Sequence, residues 1–113
     1  MRDWRAGMID VAPEHLEMVL TLLSNYLPDC EVRAFGSRFS GTAKPYSDLD
    51  LAVIGQNRLD WRILAELKEA FQESELPFRV DLLDWNTISD EFRAVIEKSG
   101  YEVISGKSSG FGA

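Results

Sequence analysis

The sequence predicts an α/β (α+β) domain, a small mixed β-sheet flanked by helices. Two observations carry this reading. Stretches with helical apolar spacing alternate with short β-type runs, in the order helix–strand–strand–helix–strand–helix. The 113 residues also suffice for a single core, since a chain of this size buries about two-thirds of its unfolded surface.

Each element has its own justification. Residues 1–12 read as a short lead-in that is poorly ordered at its start. Pro13 suits a first helical turn. From Glu14 to Leu27, apolar residues at Leu16, Val19, Leu20, Leu23 and Leu27 recur at helical spacing, and Pro28-Asp29 ends the run. Cys30 to Phe35 reads as a strand entering the turn Gly36-Ser37. A short helix over Ser37 to Ala43 and a loop over Lys44 to Ser47 follow. Leu49 to Ile54 is a second strand, stopped by Gly55-Gln56-Asn57.

Asp60 to Glu73 returns to helical spacing, with Trp61, Leu64, Leu67 and Phe71 on the predicted apolar face. A third strand runs from Phe78 to Leu83. Thr87 or Ser89 caps a last helix through about Lys98, with Phe92, Val95 and Ile96 turned inward. Tyr101 to Ile104 makes a short final strand. Residues 1–104 thus form one domain, and 105–113, rich in Gly and Ser, a flexible tail.

Composition removes several function classes. The net charge of −7 lacks the basic footprint of a nucleic-acid binder, and it disfavours an anionic membrane surface. Cys30 and His15 are each alone, so neither a thiolate cluster nor a multi-histidine zinc site is available. Cys30 reads as a small buried residue and His15 as a surface one. No apolar run approaches membrane-spanning length, and no signal-peptide stretch opens the chain. A cytoplasmic protein is expected. Gly106-Lys107-Ser108 imitates the end of a P-loop, but the glycine that motif needs falls on Tyr101, and too few residues remain for the following helix.

The chemistry concentrates between Phe35 and Leu51. In a strand, Asp48 and Asp50 share one face about 6.6–6.8 Å apart, while Leu49 and Leu51 point into the core. Two such carboxylates repel unless a cation lies between them. Two-metal phosphoryl-transfer sites use this arrangement. Gly36 lets backbone approach a ligand, Ser37 adds a hydroxyl, and Arg38 and Lys44 supply cations suited to a polyphosphate. Together these residues point to a metal-bound nucleoside triphosphate. Asp81 interrupts an otherwise apolar strand, which is costly for a charge without a partner. It is the candidate third carboxylate. Asp84, at the strand end, is the rival and has an ordinary reading as a solvated turn residue.

Phe35-Gly36-Ser37-Arg38, then Ser47-Asp48-Leu49-Asp50-Leu51-Ala52-Val53, then an acid on a later strand resembles the DNA polymerase β-type nucleotidyltransferase superfamily. Within it the chain is similar to the minimal nucleotidyltransferases. The segment Val80-Asp81-Leu82-Leu83-Asp84-Trp85 resembles the catalytic chain of a two-chain bacterial enzyme.

The resemblance implies a polymerase β-like core. It implies Asp48, Asp50 and Asp81 as catalytic residues and ligands of Mg²⁺, with two ions expected. It implies Gly36 and Ser37 as triphosphate binders, with Arg38 as a further phosphate contact. Lys44 rests on charge and position alone. ATP is the implied substrate, AMP the group transferred and a hydroxyl the acceptor. A separate helical, HEPN-like protein encoded nearby is the implied partner, and a chain of this length leaves little room for an acceptor domain of its own.

Alternatives are an antitoxin that adenylylates a HEPN-type toxin, and a non-catalytic nucleotide-binding subunit. A small-molecule nucleotidyltransferase is a further option, though that class usually carries an extra domain. Trp4 and Trp85 are candidates for a partner-binding surface. The acids at Glu66, Glu69, Glu73 and Glu75 read as a solvated helix face.

Overall fold

The computed structural model describes residues 9–106. In chain order they form α1 (Pro13–Tyr26), β1 (Glu31–Phe35), α2 (Ser37–Ser40), β2 (Leu49–Ile54), α3 (Trp61–Gln72), β3 (Val80–Asp84), α4 (Asp90–Ser99) and β4 (Glu102–Ser105). The sheet order is β3-β2-β1-β4. β1 pairs antiparallel with β2 and β4, while β2 pairs parallel with β3. The sheet is therefore mixed, as the sequence predicts. Trp4 and residues 107–113, including Lys107 and Ser108 of the P-loop imitation, lie outside the described residues.

Alternation along the strands separates two faces. Val32, Ala34, Leu49, Leu51, Val53, Val80 and Leu82 point one way and are buried. Val19 and Leu23 of α1 and Leu67 and Phe71 of α3 cover them and complete the core. Leu67 is fully enclosed, and truncating it to Ala would cost about 2–5 kcal/mol. On the opposite face, Phe35 of β1 meets Phe92 of α4 edge-on, at a ring separation of 6.2 Å.

Local chemistry fixes the element ends. Asp60 caps α3 by accepting from the Arg62 amide, and Ser89 caps α4 by accepting from the Phe92 amide. Such caps contribute about 1 kcal/mol each. Gly41 stops α2 in the left-handed conformation, so this helix ends three residues before the predicted Ala43.

Several expectations are corrected. Trp61 is 71% exposed, at the first position of α3, and the Arg62 guanidinium lies over its ring. Of the three residues expected inward on α4, Ile96 is buried, whereas Phe92 is 36% and Val95 54% exposed. His15 is half-buried and packs edge-on against Phe78. Ser105 closes β4 opposite Val32 rather than opening the tail. Cys30 is buried as expected, just before β1, and its thiol is pushed up first by burial and then by Asp29 and Asp84. Glu66, Glu69, Glu73 and Glu75 are all exposed.

Candidate active site

The sheet register builds the acidic face. Asp50 of β2 lies directly across from Asp81 of β3. Both point away from the core, because their neighbours Leu49, Leu51, Val80 and Leu82 point into it. Asp48, two residues before Asp50, continues the same line at the mouth of β2. The Leu49 amide donates to the Arg79 carbonyl at 2.8 Å, which extends the register one step beyond β3. Arg79 is thereby delivered beside Asp48, and its Nη2 donates to Asp48 Oδ2 at 2.9 Å.

The electrostatics follow from this crowding. Asp50 is half-buried, and its carboxyl is pushed above the usual carboxylate range. Burial is the larger cause, followed by the negative charges of Asp81 and Asp48; Arg79 opposes the shift. Among the described residues, no three His, Cys, Asp or Glu side chains already converge on a metal-sized point. Asp48 is turned to Arg79 instead.

Gly36 backs the same carboxylate. It caps the N-terminal end of α2 at φ +81, in the left-handed half of conformational space. A Cβ built there would run into Asp50 Oδ2. Glycine is required at this position twice over, by conformation and by space. Ser37 opens α2; the Phe39 and Ser40 amides donate back to the Gly36 carbonyl at 3.0 and 2.9 Å, which leaves those of Ser37 and Arg38 at the start of the turn.

Arg38 and Lys44 are placed differently. Arg38 is 6% exposed, and its guanidinium donates to three backbone carbonyls. These are Asp10 O at 2.7 Å, Ser47 O at 3.0 Å and Pro45 O at 3.0 Å. The Phe78 ring lies against it, 4.2 Å from the guanidinium carbon to the ring centroid. Arg38 thus ties the loop before Asp48 to the lead-in and to the segment that precedes β3. Lys44 is exposed in the same loop, where its backbone makes a turn closed by the Ser47 hydroxyl and amide.

Asp84 is buried, not solvated. Its Oδ2 accepts from the Leu59 amide at 2.8 Å and its Oδ1 from the Asn86 amide at 2.9 Å. Its work is to hold two loops at the end of the sheet remote from Asp50. Asp81 is exposed on the acidic face. Of the two rivals for the third acid, Asp81 shares the face of Asp50 and Asp84 does not. Trp85 is half-buried beside two arginines, with the guanidinium carbons of Arg33 and Arg93 5.0 Å and 5.7 Å from the ring centroid.

Sequence reasoning missed Arg79. Its signal was available: two residues before Asp81 in an extended run, it had to share that residue's face.

Residues 23–109 match the family described as Polymerase beta, Nucleotidyltransferase. The chain belongs to this nucleotidyltransferase family, and the acidic face occupies its fold. Over 101 residues it is 54% identical to the probable protein adenylyltransferase MntA of Haemophilus influenzae, covering 89% of this chain and 88% of the relative. Its structure is similar to a chain of a toxin–antitoxin complex crystallised with AMP-PNP, with TM-score 0.65, 27% identity, and 84% and 74% of the two chains covered. It is also similar to a chain of a mutant MntA–HpeT toxin–antitoxin complex, with TM-score 0.61, 27% identity, and 76% and 69% covered.

Proposed function

We propose that this chain transfers AMP from ATP to a hydroxyl of a separate helical, HEPN-type protein, acting as the antitoxin of a toxin–antitoxin pair. One observation carries the reading: Asp48, Asp50 and Asp81 line one face of two parallel strands, beside a glycine turn that has no room for a side chain. The 54% identical relative is a probable protein adenylyltransferase, and the structural neighbours are chains of toxin–antitoxin complexes.

The donor set fits a hard divalent cation. All three candidate ligands are carboxylates, and Asp50 already bears the repulsion of the other two. Asp48, Asp50 and Asp81 are the residues that would hold Mg²⁺. When bound, such ions neutralise phosphate charge and make a hydroxyl easier to deprotonate.

The chain's own residues do the rest. Gly36 leaves the Asp50 carboxylate in place where any side chain would displace it. Ser37 offers its hydroxyl and its own amide to the triphosphate. Asp81, at the exposed edge strand, receives the proton of the acceptor hydroxyl. The hydroxyl oxygen bonds to the α-phosphorus, the bond from that phosphorus to the bridging oxygen breaks, and pyrophosphate leaves. The cytoplasm, where ATP is supplied, is the compartment this reading requires. No helix among the described residues is long and apolar enough to cross a membrane.

The test is co-expression with the protein encoded next to this chain, then incubation with labelled ATP and Mg²⁺. Intact-mass analysis of the partner should find AMP added. If the label stays off the partner, the proposal fails.

A further inference from the structure

The strand register makes a square of side chains. Asp48 and Asp50 occupy one side, Arg79 and Asp81 the other, with Asp50 facing Asp81 and Asp48 facing Arg79. One corner of an otherwise acidic face is therefore a cation. Its guanidinium already holds a carboxylate that the proposed site needs for metal. The pair is open to water, with the Arg79 side chain 72% exposed and Asp48 38% exposed. An exposed pair of this kind is weak and exchangeable. Arg79 also lines, with Lys68, Gln72, Phe78 and Asp81, a cavity of about 430 Å³ beside the acidic face.

We propose that Arg79 is a positioning residue that serves as the built-in counter-ion of Asp48 and competes with the divalent cation for it. The inference rests on the proposed metal role of Asp48. In the cation-free protein, Arg79 neutralises one of three crowded carboxylates. Cation entry displaces it, so the carboxylate is ordered beforehand and held at a small cost in affinity.

Calorimetric titration of the purified full chain with Mn²⁺ tests this apart from turnover. Wild type should bind, and Asp48→Asn should bind much more weakly. Arg79→Gln should bind about two- to fivefold tighter than wild type, the span an exposed ion pair supplies. Arg79→Lys, which keeps the charge, should stay close to wild type. Arg58→Gln, an exposed arginine beyond the other end of β2, should change nothing. The gap between Arg79→Gln and wild type should narrow at high salt. If wild type and Asp48→Asn bind Mn²⁺ alike, the metal reading of Asp48 fails and takes this inference with it. If wild type binds through Asp48 and Arg79→Gln binds no tighter, the inference alone is overturned.

Discussion

The Asp50 carboxylate occupies the space in which a side chain on Gly36 would have to stand. A turn off β1 and a strand in the middle of the sheet are thus fitted to each other at one point. Gly36→Ala must adopt φ +81 and push that carboxylate aside. With ψ −156 this is a region essentially reserved for glycine, and holding a side chain there costs about 1–3 kcal/mol. Thermal unfolding should register a loss of that size, and AMP transfer should fall at least tenfold, because the displaced group is Asp50 itself.

Asp81 and Asp84 should separate cleanly. Asp81 is exposed with its charge on the acidic face, so Asp81→Asn should leave the melting temperature nearly unchanged and abolish transfer. Asp84 satisfies two loop amides from a buried position. Asp84→Ala leaves those donors without their acceptor, at a cost of about 1–3 kcal/mol for each one that stays dry. Denaturant unfolding of the two variants beside a transfer assay checks both halves.

Arg38 should behave as a structural residue. Its loss removes three charge-assisted hydrogen bonds to carbonyls from a buried position. Arg38→Ala should lose about 2–4 kcal/mol of stability. Arg38→Lys should recover little of it, since an ammonium cannot span three separated acceptors. A phosphate contact would give the reverse pattern, a stable Arg38→Lys protein with weakened nucleotide binding.

Glu102 sets a pH dependence away from the site. Burial raises its carboxyl above the ordinary range, only partly offset by the Ile9 amide, and its Oε1 has no hydrogen-bond partner. A raised folded-state pKa means that the group's contribution to stability is complete below the unfolded value. That contribution is lost as pH rises through the folded one. Glu102→Gln has no proton to lose and stays neutral throughout. The variant should therefore gain on wild type in melting temperature as pH rises from about 4 to 7, and the two should converge at the acid end.

The parts of the site legible in the sequence were those set by local spacing. Asp48 and Asp50 share a face because strand side chains repeat every two residues. Asp81 stood out as a charge within an apolar run. The parts that were not legible depend on contacts distant in sequence. Arg79 meets Asp48 across 31 positions, through a register that appears only when β2 and β3 pair. A cation after Gly-Ser reads the same whether it faces phosphate or, like Arg38, a set of carbonyls. Asp84 looked like a solvated turn residue because nothing local reveals the Leu59 loop folding onto it. Trp61 sits about 60° round the helix from Leu64, at the margin of the apolar stripe, and in the first turn of α3 it stays in solvent.

The most direct test compares intact masses of the co-purified partner after incubation with ATP and Mg²⁺, using wild type and Asp48→Asn. The substitution keeps the side chain's shape and removes its charge. AMP on the partner with wild type, and none with a normally folded Asp48→Asn protein, is the predicted result. Equal labelling by both would contradict the assignment of the acidic face as the transfer site.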